Sequence, residues 1–457
     1  MGQTTSWSPH RMSVLASAEP KLASGGSASA IPTGKSDSHY KKVYSRSTLR
    51  TAWRAVYSSG ISSEKEETNR QVAEFSRDIE NHLERIYRHL LKGKFKFLPA
   101  LGVLIPRKGK KPRPIVKSPI PDRIVQRAVL EVLQSNPAIE PYYRNPASFG
   151  GIKGKGLGVP GAIRAVYKAI QSDRVEFYIK SDIDSFFRNI PRSVVLAKIS
   201  SVIPDSKFQC LLEKATHVEL DNLASIGAAA KLFPSYEIGV AQGCCLSPLL
   251  GNILLDGFDR ELNGRGITCI RYIDDFIILG SASSKVEAAF RSALRLLAEH
   301  GLTAYDPKLV SDKASMGEIR HGFEFLGCNI RPGMISPGSR PRQRIIDAVK
   351  SALDKSQRLM DDPQELMQAD LGAVATLEDV NNILLGWGNQ YAFCNDREVL
   401  KMLDLKVNGL IENYWKAITG RYARFAAEKN LESSRRLLGV HLLKDSKFEP
   451  IVDPLAD

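Results

Sequence analysis

The stretch Arg271-Tyr272-Ile273-Asp274-Asp275-Phe276-Ile277-Ile278-Leu279-Gly280 constrains this 457-residue chain more than any other. Residues 267–272 and 276–279 are short runs of apolar, β-branched and aromatic residues, and such runs read as strands. So little chain joins them that they must form a tight hairpin, and aspartate tolerates the left-handed backbone such a turn needs. Asp274 and Asp275 therefore stand at a hairpin tip above buried arms. Two like charges held side by side repel unless a cation neutralises them, and hard carboxylate oxygens suit Mg²⁺. A solvated Asp-Asp turn is the plain alternative, and the apolar arms weigh against it.

A second carboxylate sits in a comparable place. Residues 175–179 read as a strand that runs into Lys180-Ser181-Asp182-Ile183-Asp184-Ser185-Phe186-Phe187. A carboxylate ending a buried strand is costly unless it caps a helix or binds something. Asp274 lies 92 residues beyond Asp182, and the two converge if their strands share a sheet. Upstream, five of the seven residues of Arg107-Lys108-Gly109-Lys110-Lys111-Pro112-Arg113 are basic, between two short apolar strands. A hairpin tipped this way presents cations to phosphate, arginine as a bidentate fork and lysine as a point charge.

Two glycine-bearing stretches follow. Ser148-Phe149-Gly150-Gly151-Ile152-Lys153-Gly154-Lys155-Gly156 permits close backbone approach to a phosphate chain, outside any dinucleotide-binding or P-loop context. Gly239-Val240-Ala241-Gln242-Gly243-Cys244-Cys245-Leu246-Ser247-Pro248 opens a helix, with Ser247 as N-cap and Pro248 at the first helical position. Leu250, Ile253, Leu254, Phe258 and Leu262 then mark one buried face.

In this combination the chain resembles reverse transcriptases of the group II intron type. Tyr272-Ile273-Asp274-Asp275 is similar to the family's Tyr-x-Asp-Asp box, and Asp182 to Phe187 to its first palm motif. Gln242-Gly243 through Leu246-Ser247-Pro248, with Leu250-Gly251-Asn252, is similar to Gln-Gly-x-x-Leu-Ser-Pro followed by Leu-x-Asn, with Ala241 in place of the usual proline. Gly322-Phe323-Glu324-Phe325-Leu326-Gly327 is similar to Gly-Phe-Asp-Phe-Leu-Gly.

The resemblance implies an α+β right-hand polymerase with fingers, a palm of antiparallel sheet plus helices, and a helical thumb. It implies RNA-directed DNA synthesis with two Mg²⁺ ions, Mn²⁺ being a substitute, held by Asp182, Asp274, Asp275 and the main chain at Ile183. Lys313 would neutralise the leaving pyrophosphate. Lys108, Arg113, Ile183, Asp184, Phe187 and Gln242 would meet the incoming nucleotide, Phe187 as a gate against the 2′ hydroxyl. Lys153, Lys155, Phe325, Leu326 and Gly327 would meet primer and template.

It points further to the stand-alone bacterial enzymes of phage defence, working with a non-coding RNA. An intron-type maturase lacking an endonuclease, and an RNA-binding scaffold that does not polymerise, are the alternatives. Three retained aspartates argue against the scaffold, and Phe187 argues against an RNA-making polymerase.

Composition agrees with a nucleic-acid partner. The net charge is +14 and the pI about 9.4, an excess that favours polyanions such as an RNA template and a DNA product, beside deoxynucleotide substrates. A second copy of the chain or a partner protein stays open. No long apolar run suggests a membrane span. The six cysteines (210, 244, 245, 269, 328 and 394) lack C-x-x-C spacing and read as reduced thiols of a cytoplasmic protein. The pattern divides into a flexible tail at 1–44, a helical extension at 45–100 whose role is packing, fingers and palm at 101–330, a thumb at 331–420 and a C-terminal tail at 421–457.

Overall fold

The computed structural model describes residues 38–446, apart from 64, 108, 153, 155, 172–174, 236, 265 and 310–312. The tail expected over 1–37 and the final residues 447–457 lie outside the described residues. The architecture is α+β, as expected. Strands β1 (Leu101–Arg107) and β2 (Lys110–Lys117) form a hairpin around the basic loop. Strands β3 (Phe177–Asp182), β4 (Thr268–Tyr272), β5 (Asp275–Gly280) and β6 (Ser315–Glu318) form an antiparallel sheet in the order β4-β5-β3-β6. A third sheet holds β7 (Phe323–Phe325), β8 (Cys328–Arg331) and β9 (Met334–Pro337). Most of the remaining described elements are helices.

The unbroken apolar run of the hairpin has a direct cause. Strand β5 is interior to its sheet, and Phe276, Ile277, Ile278 and Leu279 are all wholly buried. Side chains alternate along a strand. Phe276 and Ile278 enter the larger core with the helices Ser247–Leu262 and Ser283–Ala298, while Ile277 and Leu279 enter a second core with the helix Gly158–Ile170 and β7–β9. A strand covered on both faces has no polar face to show. Each such side chain contributes about 1.5–3 kcal/mol of burial.

The helix Ser247–Leu262 is buried almost all round, including Asn252, Asp256 and Asp259, not along one face as its apolar spacing suggested. Ser247 is its first residue, not its N-cap. The Ser247 hydroxyl donates to the Ala241 carbonyl at 2.7 Å, which fixes the loop where the family's proline is missing.

Two expected tails are partly folded. The helix His39–Val43 falls within the stretch read as flexible. The Tyr40 amide donates to Asp205 Oδ2 at 3.0 Å, its hydroxyl donates to the Leu90 carbonyl at 2.6 Å, and Val43 is buried. At the other end the helix Arg397–Ala427 runs past 420, and Leu437 of the helix Leu431–Leu437 is buried in a separate helical core with Val349, Tyr414 and Ile418. A boundary at 330 would also cut β8.

The hairpin tip is clamped by a wholly buried arginine. Arg271 Nε and Nη2 donate to Asp259 at 2.7 and 2.5 Å. Nη1 donates to Asn252 Oδ1 at 3.0 Å and to the Ile273 carbonyl at 2.8 Å, and Nη2 donates to Ser148 Oγ at 3.0 Å. These contacts use all five guanidinium N–H groups. They hold a turn whose left-handed residue is Ile273, at φ 62°, rather than an aspartate as the sequence suggested. A β-branched side chain resists that backbone, at a cost of order 1–3 kcal/mol.

Gly150 completes the clamp. A Cβ there would lie 2.7 Å from Ile273 Cγ1 and 2.8 Å from the Ile273 amide nitrogen. Its expected role, approach to a phosphate chain, is thus taken by approach to the hairpin's own backbone. Asp259→Asn would leave the Arg271 charge buried and unpaired, a change worth about 3–5 kcal/mol. The expected outcome is a thermal midpoint several degrees lower by calorimetry; an unchanged midpoint would show that the pair does not hold the hairpin.

Candidate active site

Register brings the carboxylates together. Asp182 ends β3 and is the cross-strand partner of Asp275, which begins β5. Asp274 occupies the turn beside them, and its carbonyl accepts the Ile183 amide at 3.0 Å. Like charges directly opposite on a ladder destabilise it. Burial, then the Asp182 charge, pushes the Asp274 carboxyl up to about 6, while Arg113 draws it down. Burial, then Asp274 and Asp182, pushes Asp275 up to about 7.

Lys313 answers this charge. Its ammonium pairs with Asp182 Oδ2 and lies 5.1 Å from the centre of the Tyr305 ring. Burial alone would lower its pKa, but the hydrogen bond and charge of Asp182, with Asp275 and Asp274 behind, raise it above the ordinary value. Lys308, five residues earlier in the chain, is exposed and faces Glu287 at 3.9 Å.

Asp182, Asp275 and Lys313 share a cleft of about 200 Å³ with Phe325, Leu326 and Gly327. Lys180 enters the same cleft and donates to the Glu324 carbonyl at 2.5 Å, which ties the sheet to β7. Burial lowers its pKa against the pull of Glu324 and Asp275. Arg340 lines the far side. On the other flank Arg113 Nε donates to Gln242 Oε1 at 3.0 Å, and the Gln242 carbonyl accepts the Val116 amide at 2.8 Å. The basic hairpin is therefore joined to the Gln-Gly loop. The Phe187 carbonyl accepts the Val240 amide at 2.7 Å, and its half-buried ring lies 5.5 Å from Phe186. Lys108, Lys153 and Lys155 lie outside the described residues.

Several site residues escaped the sequence reading. The Tyr305 hydroxyl donates to Asp184 Oδ1, its amide donates to the Asp182 carbonyl at 3.2 Å, and its carbonyl accepts Ser181 Oγ at 2.7 Å. No local pattern marks Tyr305, which follows a helix end. Lys180 could have been found, because period two places it on the Asp182 side of β3. Asn252 and Asp259 could also have been found, as polar residues two turns apart on one helical face inside an apolar run.

Comparisons with known proteins give similarities over part of the chain. The family described as reverse transcriptase (RNA-dependent DNA polymerase) matches residues 105–330. Protein YkfC of Escherichia coli is 28% identical over 54% of this chain and 70% of its own length. An uncharacterised 91 kDa protein in the cob intron of Schizosaccharomyces pombe is 29% identical over 39% of this chain, which spans only 20% of that protein. Among solved structures, a chain of a partial Cas6-RT-Cas1–Cas2 complex aligns at TM-score 0.35 and 19% identity, over 59% of this chain and 44% of that one.

Divalent metal suits these donors. Among the described residues no three carboxylate, imidazole or thiol groups form a ready-made metal cage. The cleft instead offers hard oxygens from two strands, which fits a cation that keeps water and takes further oxygens from substrate phosphate. Protons compete with metal for such raised carboxylates. Mn²⁺ affinity, followed by electron paramagnetic resonance, is expected to fall by roughly tenfold from pH 8 to pH 6 as Asp275 and then Asp274 take up protons. An affinity indifferent to pH would remove these groups from the metal site.

Proposed function

From a chain that belongs to the reverse transcriptase family through residues 105–330, we infer a polymerase that copies RNA into DNA by nucleotidyl transfer at the cleft of Asp182 and Asp275, with Asp274 in the adjoining turn. The observation that carries this reading is the register of β3 against β5, which sets Asp182 opposite Asp275 with Asp274 alongside. Asp182, Asp274, Asp275 and the main chain at Ile183 would hold two Mg²⁺ ions. Bound there, the ions would supply Lewis-acid activation of the primer 3′ hydroxyl and would offset charge on the pyrophosphate. The 3′ oxygen, losing its proton to water, bonds to the α-phosphorus, and the bond from that phosphorus to the oxygen bridging to the β-phosphorus breaks, so that pyrophosphate leaves.

The chain's own groups divide the remaining work. Lys313 meets the leaving pyrophosphate as a cation and proton source. Arg113, set by Gln242, grips the triphosphate, and the same role is proposed for Lys108. Phe187 and Asp184 bound the sugar pocket, so a 2′ hydroxyl is refused. Phe325, Leu326 and Gly327 support the primer end, and Lys153 and Lys155 meet the template. The three parts are fingers and palm from 101 through the sheet of β7–β9, with a helical thumb after that sheet.

The reading extends to antiviral defence with a dedicated non-coding RNA as template, supported by the resemblance to stand-alone bacterial reverse transcriptases. An intron-type maturase is the second reading, favoured by the similarity to the cob intron protein. No helix among the described residues is long and apolar enough to cross a membrane.

The test is incorporation by purified protein with its co-purifying nucleic acid and Mg²⁺, beside an Asp274→Asn/Asp275→Asn control. Deoxynucleotides, not ribonucleotides, are expected in product, with the control at background. The product sequence separates defence RNA from intron RNA. Incorporation that survives in the control, or none in the wild type, would overturn the reading.

A further inference from the structure

We propose that Tyr305 is a positioning residue for sugar specificity: its hydroxyl holds a strained turn at Asp184 and Ser185, and that turn aims the Phe187 ring. The proposal rests on the polymerase reading above, with Phe187 as the gate. Ser185 lies between β3 and the short helix Phe186–Asn189, at φ 47° and ψ 37°. Serine seldom adopts this left-handed backbone, where glycine is the usual residue. Such strain persists only where neighbours over-determine it, and it gathers at functional sites.

Ser185 is exposed, so packing does little to hold its backbone. The Asp184 carboxylate holds it instead. Asp184 Oδ1 accepts the Ser185 hydroxyl at 3.2 Å and also accepts the Tyr305 hydroxyl. The Asp184 amide donates to the Thr303 carbonyl at 2.8 Å, and Ile183 forms an antiparallel bridge with Ala304. Residues 303–305 thus run beside the turn as a short added strand, which brings Tyr305 to the carboxylate. Beyond the turn, the Ser185 carbonyl accepts the Arg188 and Asn189 amides at 3.0 and 3.2 Å, and so starts the helix that carries Phe187.

Without the Tyr305 hydroxyl, the Asp184 carboxylate turns to solvent and Ser185 relaxes to a less strained backbone. The Phe187 ring, two residues on, then leaves its place. A 2′ hydroxyl is one added oxygen, so a gate against it tolerates little displacement; a shift of about 1 Å at a reacting site costs about a hundredfold. The Tyr305 ring has a separate contact, the Lys313 ammonium 5.1 Å from its centre, which phenylalanine keeps. Tyr305→Phe therefore isolates the hydroxyl. A tyrosine that only packs would change stability and leave the choice of sugar alone.

The measurement is kcat/KM for a deoxynucleoside triphosphate divided by that for the matching ribonucleotide, on one primer–template with Mg²⁺. Tyr305→Phe is expected to lower this ratio about tenfold. Tyr305→Phe/Ser185→Gly is expected to restore it, because glycine takes the left-handed backbone unaided. Phe187→Ala is the reference for a lost gate. A ratio unchanged in Tyr305→Phe and lowered in Phe187→Ala would overturn the proposal and leave the polymerase reading intact. So would a ratio that falls in Tyr305→Phe and is not restored by Ser185→Gly, since the hydroxyl would then act without the turn. A ratio unmoved by Phe187→Ala would remove the gate itself, and the proposal with it.

Discussion

The buried Arg271–Asp259 pair is the constraint on which the site depends. An unaccompanied guanidinium in a core would be prohibitive, and a bare ion pair there gains little over apolar packing. Here the pair is one part of a closed network in which Asn252, Ser148 and the Ile273 carbonyl take the remaining donors. Three separated segments meet in it: the loop around Ser148, the central helix and the hairpin. The network fixes one arrangement of these parts, and that arrangement keeps Ile273 in a backbone region it would otherwise leave. The turn is thereby set before any ligand arrives, which is the physical content of preorganisation.

What the clamp presents is a stored repulsion. Asp182 and Asp275 face each other across two strands, Asp274 adds a third charge, and burial magnifies the cost of the Asp274 and Asp275 charges. Lys313, Lys180 and Arg113 relieve part of it. The same lysines and arginine stand around the place where triphosphate and pyrophosphate charge would enter. Groups that stabilise the site in this state are therefore the groups that would stabilise the reaction, and Tyr305 links two of the parts by touching Asp184 and Lys313 together.

Much of this was legible in the sequence, and the reasons are specific. The hairpin could be read because β5 is covered on both faces, so that four consecutive residues had to be apolar. The motif order along the chain marked Arg113, Gln242, Asp182, Lys313 and Phe325 as candidates, whereas the pairing of Arg113 with Gln242 is visible only in the structure. Other features were hidden. Aspartate was the natural choice for the left-handed turn residue, yet Ile273 takes that place because Arg271 and Gly150 hold it from both sides. The glycines near 150 looked like a phosphate cradle, since a glycine signals close approach without saying what approaches. Tyr305 had no signal at all, because its partners Asp182, Asp184 and Lys313 are brought to it by sheet topology alone. The tails were misjudged for a related reason: a five-residue helix anchored through Tyr40 has too few residues to show a period.

The most direct test of the central claim, that clamped carboxylates from two strands form one divalent-metal site, is anomalous diffraction from crystals grown with Mn²⁺ and a deoxynucleoside triphosphate. The account expects manganese peaks bounded by the Asp182, Asp274 and Asp275 carboxylates, with Ile273 still left-handed and Arg271 still on Asp259. Manganese bound elsewhere, or bound there only after the hairpin has rearranged, would contradict it.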